Sequence, residues 1–279
     1  MAETTLPSQK VSLVRRVLDS SALYRLIALA IFGTVWQLAT LSHKSMLIPT
    51  FTDTMAAIPK LLIPGYSGDE SAKLWDALYQ SNGALLIGFA ISVALGVPFG
   101  LLIGRFRTIE RFANLYISIL LVTPMAAVIP LLVMSLGVRD GAMPTRVILI
   151  VLFAIVMLVV NSRAGIRQID PSLIEMARCF GAGELSIWRR ILLPGSLPAI
   201  MTGVRLGLGR AITGMVIIEL LFIAVGLGNL IQRYDAQLDG PRLYALIIIV
   251  VFEALLLIQF VRWVERRVTP WRKTPSFGR

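Results

Sequence analysis

The stretch EMARCFGAGELSIWRRILLP, residues 175–194, lies between two long apolar runs. It holds a glutamate, a small residue two places on, a glycine four further, and a basic tract closing on Ile191-Leu192-Leu193-Pro194. Directly upstream, Asp170-Pro171 is a helix-start signal: an aspartate N-cap accepts from an orphan amide, and a proline at the first helical position has no donor to lose. The pair predicts a helix over Pro171 to Arg178. Ala177, Gly181, Ala182 and Gly183 then supply a patch without bulky side chains, where another protein could approach the backbone closely. Arg178, Arg189 and Arg190 flank it as polar anchors, and Ile191 to Pro194 returns the chain to the membrane, with the proline ending one element and starting the next. By composition alone the stretch reads equally well as a solvated loop with one helical turn.

What surrounds it is more apolar than a soluble domain. Of 279 residues, 56% are hydrophobic and 15% charged, and mean hydropathy is +0.78, against about 25% charged residues in soluble chains. Such a chain belongs in a bilayer. Six runs approach the roughly 20 apolar residues that a spanning helix needs: Tyr24–Leu41, Ala84–Gly104, Leu115–Leu136, Pro144–Val160, Ser196–Val225 and Leu243–Val261. The third carries Pro124 and Pro130, which kink helices. The fifth is too long for a straight span and holds Arg205, Arg210 and Glu219, so it is expected to start outside the hydrocarbon and to be tilted or broken. Between the first two runs, PTFTDTMAAIPKLL and SAKLWDALYQS read as short interfacial helices.

The net charge of +11 raises nucleic acid, anionic lipid and topology as explanations. The distribution decides among them. With the N-terminus inside, the inner segments collect Lys10, Arg15, Arg16 and Arg25, then Arg105, Arg107 and Arg111, then Arg163, Arg167, Arg178, Arg189 and Arg190, then Arg262, Arg266, Arg267, Arg272, Lys273 and Arg279. Only Lys44, Lys60, Lys73, Arg139, Arg146, Arg233 and Arg242 fall outside. This asymmetry predicts both termini in the cytoplasm, and the scatter over separate loops, without a reader motif, argues against nucleic acid. A single histidine, His43, and a single cysteine, Cys179, leave no zinc constellation. There is no GxxxxGK[ST] phosphate loop and no nucleophile with an obvious base, so the chain does not read as an ATPase or hydrolase.

The spacing Glu175, Ala177, Gly181, Ile191, Leu193-Pro194 resembles the cytoplasmic EAA loop of permease subunits of binding-protein-dependent ABC importers. Met176 departs from the alanine usual there. The resemblance runs from about Leu47 to Arg267, through LIPTFTDTMAAI, GVPFGLLIGRFRTIERF, TPMAAVIPLLVMSLGV, LPGSLPAIMTGVRLGLGRA and GLGNLI, and is similar to the nitrate/sulfonate/taurine branch in particular. It implies an all-α polytopic membrane protein of six transmembrane helices with a cytoplasmic coupling helix, the type I ABC importer permease fold. Residues 1–20 would be a cytoplasmic basic segment, 21–268 the permease domain with its coupling loop at 161–195, and 269–279 a disordered cytoplasmic tail. It implies a bacterial inner-membrane location and a homodimer, with two ABC ATPase subunits and an extracytoplasmic solute-binding protein as partners. ATP and magnesium would belong to the ATPase, this chain binding no cofactor. The coupling surface would be Glu175, Met176, Ala177, Arg178 and Gly181, with Ile191, Leu193 and Pro194 setting the return to the membrane. The solute would be a small anion such as a sulfonate, nitrate or taurine; a vitamin precursor or aromatic acid is the alternative.

Charges inside a span are expensive and usually face the interior or a cavity. Arg210 and Glu219, nine residues apart, fall on roughly opposite helix faces and cannot neutralise each other. Arg210 reads either as an anion-attracting position along the pathway or as a structural bond to another helix or chain; Glu219 and Glu253 read more readily as structural partners. Arg205 is expected to snorkel. Thr123, Pro124, Met125 and Pro130 are candidates for the pore wall, along with Arg210 and Glu219, although methionines at helical spacing are more often core. Gly96, Gly100 and Gly104, and Gly203 with Gly207, read as helix-packing faces. A secondary carrier would need inverted halves and a mid-span ionisable relay, neither evident here; a structural membrane subunit would need only spans and a docking loop.

Overall fold

The computed structural model describes residues 21–42, 48–66, 69–137 and 143–271. The basic segment 1–20 and the tail from residue 272 lie outside the described residues. In chain order the helices are α1 (Ser21–Ser42), α2 (Phe51–Leu62), α3 (Glu70–Arg105), α4 (Arg107–Val122), α5 (Met125–Leu136), α6 (Met143–Arg167), α7 (Pro171–Cys179), α8 (Glu184–Ile187), α9 (Leu193–Leu221), α10 (Gly226–Ala236) and α11 (Gly240–Val268). No strand occurs among the described residues.

Each of the six apolar runs falls on helix. α3, α6 and α11 are long and apolar enough to cross a membrane alone; α4 with α5, and α8–α9 with α10, reach that length and apolarity only when each bent pair is taken together, and α1 carries the shorter apolar helix Leu26–Leu41. The third run is two helices meeting at 100°, a sharper break than a kink. Thr123 is extended, the conformation that a following proline favours, and Pro124 has no N–H to continue the ladder. Pro130 stays inside α5 without breaking it.

SAKLWDALYQS does not form a separate interfacial helix. It is the first part of the 36-residue α3, because Leu74, Ala77 and Ser81 are buried where α3 packs on α10. α2 does form as expected, with Thr50 as its N-cap accepting from the Asp53 amide at 3.1 Å.

α6 is the central helix, packed between α3 and α9. The approach is close because one face of α3 lacks side chains: a Cβ at Gly96, Gly100 or Gly104 would meet Leu158 at 2.9 Å, the Val159 carbonyl at 2.5 Å or Ile166 at 2.8 Å. Every fourth residue returns to the same face. The main core, including Leu74, Leu85, Leu149, Ile150, Met215, Leu227 and Tyr234, sits toward the α10 end of the bundle; a smaller one around Leu101, Ile166, Ile187, Leu192 and Ile200 sits at the α7 end.

Candidate functional site: the loop after α6 and the buried polar cluster

α7 is defined at both ends by its sequence. The Asp170 carboxylate accepts from the Ser172 amide at 2.9 Å, and that backbone hydrogen bond holds its carboxyl below the usual aspartate range. Pro171 occupies the first turn. At the other end the Gly181 amide donates to the Arg178 carbonyl and the Ala182 amide to the Ala177 carbonyl, both at 2.9 Å. This paired closure requires a left-handed residue between them, and Gly181 has φ +78°.

The closure fixes which way each residue faces. Ile174, Ala177, Ala182 and Trp188 pack inward on the smaller core, so the alanines do not form an outward patch. The exposed row is Leu173, Met176 and Phe180, at 45%, 53% and 85% exposure, followed by Leu185. Met176, Ile191 and Pro194 line one groove of about 410 Å³ with Leu173, Arg190, Gly195 and Trp271. Glu175 and Leu193 are exposed beside it. Arg178 donates to Glu184 at 2.6 Å, and Arg105 at the end of α3 donates to the same carboxylate at 3.0 Å, tying the loop to the bundle.

Pro194 stands in the first turn of α9, as expected of a proline that starts an element, but no break precedes it. Helical structure runs from α8 through a widened turn at Trp188–Leu192 into α9, the Leu193 amide donating to the Trp188 carbonyl five residues back. A proline inside a regular helix lacks its donor and clashes with the carbonyl four residues back, and one π-type turn relieves both.

At the far end of the bundle, side chains from several helices converge on Glu219, which is fully buried. Its carboxylate accepts from Arg146 of α6, from Ser81 of α3 at 2.7 Å and from the Gly228 amide at 3.2 Å, while the Leu227 amide donates to Ser81 Oγ at 3.0 Å. Glu219 thus serves the free amides at the start of α10 and holds the bend between α9 and α10, which is 50°. Asn82 donates to Glu253 of α11 nearby. Arg146, placed outside by the charge count, is 3% exposed; its position as the fourth residue of a spanning helix is the signal that could have found it.

Arg205, expected to snorkel, donates to Glu265 of α11 at 2.8 Å. Arg210 lies on the surface of the chain and makes no ion pair among the described residues, so its burial is not what this chain provides. Thr123, Pro124 and Met125 form the α4–α5 corner, with Thr123 Oγ1 donating to the Ile119 carbonyl at 2.7 Å. No cluster of three or more His, Cys, Asp or Glu that could hold a metal occurs among the described residues.

The chain is similar to known proteins in sequence and in fold. The family of binding-protein-dependent transport system inner membrane components matches residues 96–270. The taurine transport system permease protein TauC of Escherichia coli is 29% identical over 245 residues, covering 87% of this chain and 87% of its own. The nitrate import permease protein NrtB of Synechocystis is 26% identical over 246 residues, covering 88% of each. A solved structure of the MetNI methionine ABC transporter, in inward-facing conformations, shares the fold at a TM-score of 0.52 and 22% identity, over 71% of this chain and 95% of that one. With its helix order, its capped loop after α6 and this family match over more than half its length, the chain belongs to the permease subunits of binding-protein-dependent ABC importers.

Proposed function

We propose that the chain pairs with a second copy to form the pathway through which an ATP-driven importer moves a small anion delivered by an extracytoplasmic binding protein, with α7 as the seat of the ATPase. One observation carries the reading. α7 packs on the smaller core through Ile174, Ala177 and, after its end, Ala182, yet presents Leu173, Met176 and Phe180 outward beside an open groove. A contiguous apolar row rimmed by charge marks an interaction site. The two ATPase subunits supply the ATP and magnesium site, and both termini lie in the cytoplasm, in keeping with the charge asymmetry. Val122, Leu131 and Met134 around the α4–α5 corner are 84%, 68% and 84% exposed, surface that a second copy would cover.

The anionic solute is supported by relatives named for taurine and nitrate and by Arg210, an exposed guanidinium in the apolar α9 that makes no ion pair among the described residues. Met176→Glu places a charge in the exposed row without disturbing the inward side of α7. The variant is expected to insert normally and to lose most ATPase co-purification and substrate-stimulated ATP hydrolysis. Full co-purification and stimulation would refute α7 as the seat.

A further inference from the structure

A cleft of about 340 Å³ opens between α3, α4 and α6, walled by aromatic and aliphatic side chains that include Phe99, Tyr116, Leu120, Ile155 and Val159. The rings of Phe112 and Tyr116 lie 5.3 Å apart at its rim and are 72% and 53% exposed. The cleft itself is lined by no charged residue, but just beyond one end the surface changes character. Arg163 and Arg167 follow Val159 by one and two turns of α6, while Glu110 and Asn114 precede Ala113 and Ile117 by one turn of α4. Arg163 donates to Asn114 at 2.6 Å and to Glu110 at 2.5 Å, and Arg167 donates to the other oxygen of Glu110. Two guanidiniums share one carboxylate, which leaves one positive charge in excess, on the side where the Arg167 side chain is 52% exposed.

An apolar slot ending in excess positive charge is complementary to an amphiphile with an anionic head and a hydrocarbon tail. A second copy of the chain fits less well. Of the described acids at this end, Glu184 and Glu265 are already engaged by Arg105, Arg178 and Arg205 and Asp170 caps α7, which leaves the exposed Glu175 on α7 to meet Arg167. We propose that the cleft binds an anionic phospholipid of the cytoplasmic leaflet, its phosphate on Arg163 and Arg167 and one acyl chain along Phe99, Tyr116 and Ile155. The choice of leaflet rests on the orientation proposed above; the site itself does not, because the test offers lipid to both faces.

The test uses the assembled transporter in nanodiscs of phosphatidylcholine containing a minor fraction of phosphatidylglycerol, with retained lipid counted by native mass spectrometry. Wild type is expected to prefer phosphatidylglycerol about five-fold, the ratio that about 1 kcal/mol for the one excess positive charge gives. Arg167→Gln, at an exposed position, should abolish the preference, and Leu120→Trp, which fills the slot from its rim, should reduce retention of both lipids. Equal retention of the two lipids by wild type, or an undiminished preference in Arg167→Gln, overturns the proposal. So does efficient disulfide cross-linking between copies carrying Tyr116→Cys in a Cys179→Ser background, which would make the cleft an interface between copies.

Discussion

Glu219 and Arg146 show what one buried residue can organise. The carboxylate meets a guanidinium, a hydroxyl and a backbone amide from different parts of the chain, and both members of the pair are almost fully enclosed. Removing one partner of such a pair costs about 3–5 kcal/mol, because the other charge stays buried and uncompensated, whereas replacing both is often far milder. Glu219→Gln and Arg146→Met are each expected to lower the thermal stability of the purified transporter strongly, and the double variant to lose less than the sum of the two. Strict additivity in that cycle would mean the pair is not coupled. The sequence exposed Glu219 as a charge in a span; it could not show its partner, because Arg146 lies 73 residues away and meets it only when α6 packs on α9.

At the scale of an element, α7 is the most legible part of the chain. Asp170-Pro171 announces its start, and the start is where it was expected. Its end was legible only in part, since the glycine was visible but the reason for it was not. Gly181 serves first as the left-handed residue that closes the helix and turns Ala177 and Ala182 inward. A Cβ there would meet nothing within 4 Å, so any penalty comes from the backbone, about 1–2 kcal/mol for an ordinary L residue. Gly181→Ala should therefore speed hydrogen exchange over residues 171–183 and reduce substrate-stimulated ATP hydrolysis, while Gly181→Asn, better tolerated in that conformation, should recover most of both. Indistinguishable exchange in the two variants would remove the backbone argument. The widened turn before Pro194 and the 100° corner at Pro124 follow the same logic: proline marks the place, and packing decides whether the helix breaks, widens or, as at Pro130, simply continues.

For the whole molecule, orientation is the property still open to direct measurement. Eighteen basic residues on one side against seven on the other predict that a reporter fused after Arg279 is active only as a cytoplasmic reporter, and one inserted near Gly68 only as an external one. Activity of both on the same side would break the six-span arrangement. The sequence by itself determined the all-helical membrane class, the six apolar runs and the place of α7, because these depend on composition, period and local caps, each set by residues a few positions apart. Only the tertiary structure decided that α3 runs unbroken for 36 residues, that Ala177 turns inward, that Arg205 is paired, and that Arg146 and Glu219 meet. These outcomes depend on which helix faces come into contact, and that is fixed by close packing between residues far apart in the chain.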